Sequence, residues 1–229
     1  MNQTTLKIIA VASMLIDHIG AVILMPMAQM GENVELYWLT RYIGRMAFPI
    51  FAYLLAVGCM HTRNIKIYAL RLAVLALISQ IPYDLAFGSE ISFIRQTNIF
   101  YTLFLAVLAI AVYQNFQKGD KTRYWAALIA LPPFAFVAFF LGTDFGAFGV
   151  ALIFFLYIAN PAVRLHAAAI VAAFMFYRHF THDLWFFVFA LAAAACIYFC
   201  TGKQGARQPI FKYGFYAFYP LHLAVLAAL

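Results

Sequence analysis

Charged residues are scarce in this chain of 229 residues: 10% are Asp, Glu, Lys or Arg, whereas 66% are hydrophobic. A soluble globule of this size needs more polar surface than that, so the composition excludes the class. Cysteine is also rare, and all three residues lie in apolar stretches. They indicate neither a disulfide framework nor a metal site. The sequence therefore predicts a polytopic membrane protein with no bound metal.

Long connections are missing as well. We find no linker, internal repeat or low-complexity tail, and no segment that could form a soluble domain. We therefore expect one transmembrane domain over residues 1–229. The first apolar stretch is too long and too polar at its centre for a cleaved signal peptide, so we expect it to stay in the mature protein.

Apolar stretches account for most of the chain. At about 1.5 Å per residue, a helix of roughly 20 residues crosses a hydrocarbon core of about 30 Å. The pattern predicts an all-α transmembrane helix bundle of about nine helices, although the shorter stretches are also compatible with re-entrant or kinked segments. The stretches are residues 6–27, 42–60, 66–82, 98–117, 124–141, 145–160, 162–177, 184–201 and 211–229.

Basic and acidic residues alternate between the connections, and Lys and Arg favour the cytoplasmic side. This pattern places the N-terminus in the cytoplasm and the C-terminus on the other side of the membrane. Topology and anionic lipid account for the net charge of +7, so no nucleic-acid partner is expected. The basic side holds Lys7, Arg63, Lys66, Lys118, Lys121, Arg123, Arg164, Lys203, Arg207 and Lys212; the other holds Glu32, Glu35, Asp84, Glu90, Asp144 and Asp183.

Asp17 and His18 interrupt the first apolar stretch, KIIAVASMLIDHIG. Asp17 lies about 15 Å from Lys7 along a helix, near the membrane midplane, where an ionised carboxylate is costly unless it is paired or hydrated. A functional site is the default interpretation. The alternative is that Asp17 only links helices through an arginine on a neighbouring helix.

His222 reaches a similar depth in the last stretch, KYGFYAFYPLHL, whose tyrosines, Tyr219 among them, suit a cavity wall. Pro220 is expected to kink this helix. Arg45, in RYIGRMAFPIF, is the expected partner of Asp17, and Pro49 cannot donate to its carbonyl. The alternatives are a histidine that only joins helices and an arginine that extends toward the interface.

Two further sets of polar residues are candidate binding groups. Near the cytoplasmic edge, Lys7, Arg63, Lys66 and Arg71 could bind phosphates, or could simply reflect the positive-inside bias. At the other face, a polar rim comprises Tyr83, Asp84, Asn98 and Asp144, which could equally be helix caps. The loop RHFTHD, with His179, His182 and Asp183, lacks a fourth ligand for zinc, and an outer polar loop is the simpler interpretation.

These same segments carry a family resemblance. KIIAVASMLIDHIG, RYIGRMAFPIFAYLLAVG, HTRNIKIYALRLAVLALISQIPYDL, NIFYTL and KYGFYAFYPLHL resemble successive blocks of the TraX family, in family order. Val57 and Gln80 stand where many members of that family carry Glu. The resemblance implies N-acetylation of a pilin subunit, and more distantly the chemistry of membrane acyltransferases that use cytosolic acyl-CoA.

The resemblance and the residues together predict an acetyl-CoA-dependent N-acetyltransferase. Acetyl-CoA, as cosubstrate, would bind near Lys7, Arg63, Lys66 and Arg71, and a pilin amine would approach Asp84, Asn98, Asp144 and Tyr219. His18 is the expected general base, with Asp17 holding Arg45 or His222, either of which could stabilise an oxyanion. The alternatives are a glycan or lipid acceptor, a small-molecule transporter, and a pilus-assembly scaffold without enzymatic activity.

Overall fold

Helices form all the regular structure that the computed structural model describes, which covers residues 2–116, 123–159, 184–200 and 209–229. The predicted all-helical class is thus confirmed for these ranges. The predicted stretch 162–177 and the RHFTHD loop lie outside them. The α-helices are α1 (Gln3–Ile19), α2 (Met25–Gln29), α3 (Val34–Gly44), α4 (Ala47–His61), α5 (Ile65–Ala86), α6 (Ile99–Phe116), α7 (Arg123–Phe140), α8 (Gly146–Ile158), α9 (Leu184–Tyr198) and α10 (Pro209–Ala227).

The first helix begins at a side-chain cap and changes its pitch part-way along. The Asn2 side chain accepts a hydrogen bond from the backbone N–H of Thr5, which satisfies one of the donors that a helix start leaves unpaired. After Ile19 the chain forms a π-helical turn, Gly20–Leu24, and then continues as α2. Such π-turns are rare and are frequently found at functional sites. This one begins two residues after His18.

The second apolar stretch starts earlier than its hydropathy predicted. We expected a helix from residue 42, but α3 begins at Val34, with Glu35 in its first turn. A carboxylate is favoured there because the N-terminal end of a helix carries partial positive charge. Between α3 and α4 the helix is interrupted at Arg45 and Met46. Pro49, four residues after Arg45, has no N–H to donate to the Arg45 carbonyl oxygen, which accounts for the interruption.

Within the described ranges, four helical segments are long and apolar enough to cross a membrane, which indicates a helical membrane protein. They are Gln3–Gln29, Val34–His61, Ile65–Ala86 and Ile99–Phe116. The remaining apolar helices of the described ranges are shorter: Trp125–Phe140, Gly146–Ile158, Trp185–Tyr198 and Gly214–Ala227. Helices α5, α7 and α10 each contain internal proline.

The chain divides into two compact units. The first comprises Met1–Leu54, Leu85–Gly88 and Ala159–Leu229. Within it α1 packs against α3 and α10, and α3 packs against α9. Leu6 and Ala10, one turn apart on α1, are fully buried. All the residues of the candidate active site belong to this unit.

The second unit comprises Leu55–Asp84 and Ser89–Ile158. Helices α6, α7 and α8 pack pairwise against one another. Small and branched side chains of α6 are among the fully buried residues of this unit, namely Ala106, Val107 and Ile110. Small residues let helix backbones approach closely where lipid leaves no hydrophobic drive for association.

Candidate active site

Asp17 binds two arginines at the C-terminal end of α3: Arg41 lies in the last turn of the helix, and Arg45 follows its last residue. Its Oδ2 lies 2.9 Å from Nη1 of Arg41, and its Oδ1 lies 3.4 Å from Nη2 of Arg45. Nη1 of Arg41 also donates to the backbone oxygen of Asp17, at 3.2 Å. The predicted pairing of Asp17 with Arg45 is therefore present, and Arg41 joins it at a shorter distance.

The arginine side of the cluster is braced by its own helix and by α9. Nε of Arg45 donates to the backbone oxygen of Arg41 at 3.1 Å, and the Arg45 guanidinium lies 5.3 Å from the centroid of the Phe186 ring. A guanidinium at this distance is within range of a cation–π interaction with the ring. The two arginines are therefore held in fixed positions relative to each other.

Two glycines bring α1 and α3 close enough for these contacts. A Cβ atom on Gly44 would overlap the carboxyl group of Asp17, and one on Gly20 would overlap the side chain of Thr40. Both glycines are buried. The absence of a side chain at Gly44 thus leaves the space in which the Asp17 carboxylate reaches the arginines.

His18 contacts His222 across the interface between α1 and α10. Nδ1 of His18 lies 2.7 Å from Nε2 of His222, and the rings are parallel within 3°. Each residue is 8% exposed. Nδ1 of His222 contacts the backbone oxygen of Phe218 at 2.8 Å. The two histidines that the sequence predicted to lie at a similar depth in the membrane are thus hydrogen-bonded to each other. His222 therefore pairs with His18 rather than with Asp17.

Aromatic rings surround the histidine pair. Tyr219 meets both imidazoles edge to face, with centroids 5.9 Å from His18 and 5.6 Å from His222. Phe87 meets His18 in the same way at 5.8 Å, and Phe218 stacks on His222 at 4.7 Å. Tyr219 is buried. It was expected to line an acceptor path, and the structure places it against the histidine pair itself.

The site combines a base with fixed positive charge. One carboxylate and two guanidiniums give the arginine cluster a net charge of +1, and its carboxylate belongs to Asp17, the residue next to His18. The carboxylate holds the two guanidiniums in place, so they need not reorganise when negative charge develops nearby. Preorganised positive charge of this kind is what stabilises an oxyanion. The imidazoles supply an acceptor for a proton. The arrangement is suited to acyl transfer.

The predicted phosphate-binding residues fall in different units. Lys7 belongs to the first, where its Nζ lies 5.7 Å from the centroid of the Phe215 ring. Arg63, Lys66 and Arg71 belong to the second, around the start of α5, and all three are exposed. Exposed cations at one helix end are available to an anion, and their role in binding acetyl-CoA stays a prediction.

The predicted polar rim is a buried network in the second unit. Asp84, 1% exposed, accepts from Nε2 of Gln80 at 2.9 Å and from the backbone N–H of Ser92 at 3.0 Å. Oε1 of Gln80 accepts from Nδ2 of Asn98 at 2.8 Å. Asn98 also caps α6 by accepting from the N–H of Phe100. The alternative of a helix cap therefore holds for Asn98.

Asp144 takes part through its backbone. Its N–H donates to the oxygen of Thr97 at 2.8 Å, and its own oxygen accepts a hydrogen bond from the Thr102 hydroxyl. Val57 is buried, and its carbonyl oxygen lies 2.8 Å from Nδ1 of His61. The contacts of Asp144 join its loop to Thr97 and α6, whereas the contact of Val57 lies within α4. Acceptor binding by Asp84, Asn98 and Asp144 stays a prediction.

Arg41 is the member of the cluster that sequence reasoning missed. Arg41 lies one residue before the predicted apolar stretch 42–60, and the predicted pairing of Asp17 included Arg45 alone. The spacing of four residues between Arg41 and Arg45 carries the signal, because residues at i and i+4 share one face of a helix. Once α3 begins at Val34, both guanidiniums point toward Asp17.

The chain matches the model of a known protein family. A model described as "TraX protein" matches residues 2–229, almost the whole chain. The chain belongs to the TraX family. The resemblance inferred from the sequence blocks is thereby confirmed, and the Asp17, His18, Arg41, Arg45 and His222 cluster lies within the matched TraX region.

A relative with a descriptive name is also similar over nearly its full length. The chain is 27% identical, over 243 residues, to the "Probable fimbrial assembly protein FimC, serogroup H1" of Dichelobacter nodosus, and the match covers 97% of this chain and 93% of that protein. No solved structure matches this TraX family member.

Proposed function

We propose that this chain is a membrane-embedded acetyltransferase that moves an acetyl group from cytosolic acetyl-CoA to an amine, the N-terminus of a pilin subunit. The observation that carries the proposal is the buried His18–His222 pair next to the Asp17–Arg41–Arg45 cluster. The name of the similar FimC protein supports a link to fimbriae. The proposed location is the bacterial inner membrane, with about nine crossings and a cytoplasmic N-terminus.

The reaction joins the amine nitrogen to the acetyl carbonyl carbon. Attack forms the C–N bond and places negative charge on the carbonyl oxygen, which the Arg41 and Arg45 cluster would stabilise. His18 takes the proton from the attacking nitrogen. The intermediate then collapses, the C–S bond breaks, and the same proton passes to the departing sulfur as CoA thiol.

Each substrate has an expected binding region. The adenosine phosphates of acetyl-CoA are expected on Lys7, Arg63, Lys66 and Arg71, because the phosphates are anionic and the donor comes from the cytoplasm. Among the predicted acceptor residues, Tyr219 lies against the histidines. The other three, Asp84, Asn98 and Asp144, are buried or hydrogen-bonded through the backbone. We therefore expect them to contribute indirectly, by stabilising the local structure of the second unit.

A pilus-assembly scaffold without enzymatic activity is the second candidate. The word "assembly" in the name of the FimC relative favours it. In that case the Asp17–Arg41–Arg45 cluster only holds α1 against α3, as buried polar pairs in membranes often do. A glycan or lipid acceptor would retain the chemistry of the first candidate and change only the incoming nucleophile.

An acetyl-transfer assay distinguishes these candidates. It uses the purified protein in detergent, acetyl-labelled acetyl-CoA and two pilin peptides. One peptide has a free N-terminal amine and the other an N-terminus blocked by formylation. We expect label in the free peptide alone, at a rate proportional to enzyme. Absence of label from both peptides, with pilus assembly still dependent on the protein in cells, would favour the scaffold. Label in added glycan or lipid would change the acceptor.

A further inference from the structure

The backbone oxygen of Phe218 determines which nitrogen of His222 carries a proton. Nδ1 of His222 lies 2.8 Å from that oxygen. A carbonyl oxygen only accepts, so Nδ1 of His222 is the donor in this contact. In a neutral imidazole the other nitrogen is then an acceptor, which makes Nε2 of His222 the unprotonated atom.

The same reasoning extends one residue further. Nε2 of His222 lies 2.7 Å from Nδ1 of His18. Since Nε2 of His222 accepts, Nδ1 of His18 must carry the proton that it donates. Nε2 of His18 is then the nitrogen with a lone pair. We infer that His222 is a positioning residue, which holds His18 in the Nδ1–H tautomer through the chain Phe218 oxygen, His222, His18.

The surroundings keep this chain in place. The parallel His18 and His222 rings are both buried, so water competes little for their hydrogen bonds. Phe218 stacks on His222 and Tyr219 packs against both rings, which restricts their rotation. A neighbouring hydrogen bond that sets the tautomer of a functional imidazole is a common device in catalytic and metal sites.

This inference rests on the proposed function for its chemical meaning. When Nε2 of His18 accepts the proton of the attacking amine, His18 becomes a cation whose Nδ1–H still donates to His222. That contact becomes a charge-assisted hydrogen bond, which is stronger than the neutral one. His222 thus stabilises the protonated base and directs Nε2, rather than Nδ1, toward the substrate.

The first test measures the tautomer directly and needs no activity. Protein labelled with ¹⁵N in its six histidines is studied by NMR in detergent micelles. Protonated and unprotonated imidazole nitrogens resonate in separate regions, and single variants assign them. We expect a protonated Nδ1 and an unprotonated Nε2 for His18. The opposite tautomer in the parent protein would overturn the inference, whether or not any variant folds.

The second test compares two replacements of His222. His222→Phe keeps a planar ring to stack on Phe218 and removes the acceptor, whereas His222→Gln retains a side-chain oxygen that can accept from His18. We expect His222→Phe to produce a mixture of His18 tautomers and to lower kcat by at least about 10²-fold with little change in KM for acetyl-CoA. His222→Gln should keep the tautomer and recover part of the rate.

His61→Phe is the matched control. Nδ1 of His61 also contacts a backbone oxygen, that of Val57, at 2.8 Å, but His61 belongs to the second unit. We expect it to leave the His18 signals unchanged. An unchanged His18 tautomer and a normal kcat in folded His222→Phe would overturn the inference. The expected tautomer in a protein that transfers no acetyl group would instead contradict the proposed function alone.

Discussion

The Nη1 atom of Arg41 contacts Asp17 twice, at 2.9 Å from Oδ2 and 3.2 Å from the backbone oxygen. Arg45 approaches the other carboxylate oxygen at 3.4 Å. The exposed fractions of the three side chains are only 23%, 12% and 18% for Arg41, Arg45 and Asp17. One carboxylate therefore compensates two poorly hydrated cations, and removing it has a different consequence from removing either arginine.

We expect Asp17→Asn to destabilise the protein more than Arg41→Gln does. The first variant leaves two guanidiniums without a counterion, while the second leaves Asp17 paired with Arg45. The loss in Asp17→Asn should be on the order of 2 kcal/mol or more, because buried charges without a partner are costly. Tm in detergent measures the order. A larger loss in Arg41→Gln would show that Arg41 stabilises the fold through contacts other than Asp17.

Gly44→Ala should lower both stability and transfer rate. Its new methyl group would occupy the position of the Asp17 carboxyl group and push the carboxylate from the arginines. Gly214→Ala, in α10, is the control, since a Cβ atom there would meet nothing within 4 Å. Alanine is favoured over glycine inside a helix by about 1 kcal/mol, so the control should be neutral or stabilising. Equal Tm values for both variants would contradict the close approach of α1 and α3.

His18→Ala tests the assignment of the general base. The variant should fold and still bind acetyl-CoA, while its transfer rate falls by at least about 10²-fold, as expected when a general base is lost. Transfer per folded molecule and Tm are measured on the same sample, so that a folding defect is not mistaken for a chemical one. Ser13→Ala, one turn and a half before it on α1, serves as a buried control. Near-normal transfer by folded His18→Ala would remove His18 from the mechanism.

Arg71→Gln tests the cytoplasmic binding region. If Arg71 binds a phosphate of acetyl-CoA equally in the ground and transition states, KM should rise with little change in kcat. Arg95→Gln is the matched control, because Arg95 is also an exposed cation of the second unit and lies outside the predicted phosphate-binding set. Identical KM values in Arg71→Gln and the parent would assign Arg71 to lipid or to the positive-inside bias.

Topology is tested by reporter fusions in cells. Fusions after Met60 and after Gln117 should both report a cytoplasmic location, since each follows an even number of crossings from a cytoplasmic N-terminus. The candidates for those four crossings are the helical segments Gln3–Gln29, Val34–His61, Ile65–Ala86 and Ile99–Phe116, which are long and apolar enough to cross a membrane. A periplasmic signal at either position would overturn the predicted orientation.

Hydrophobicity and charge in the sequence alone determined that this is a helical membrane protein. They also singled out the charged residues and histidines within the apolar stretches as candidate site residues. Length and apolarity predict helices because backbone polar groups in lipid must be satisfied within a segment. The depth of Asp17, His18 and His222 follows from a rise per residue that hardly varies. The predicted bounds of α5, α6 and α10 differ from the observed ones by only a few residues, because each stretch ends at polar or turn residues.

The partner of each side chain was decided by tertiary structure. The sequence predicted that His222 lies at the same depth as both Asp17 and His18. Consecutive residues of a helix are about 100° apart, however, so the side chains of Asp17 and His18 meet different neighbours. Which neighbour each one meets depends on helix packing: Gly20 and Gly44 let α3 approach the side of α1 that carries Asp17, and α10 meets the side that carries His18. Periodicity within one helix holds no information about the rotation of another helix against it.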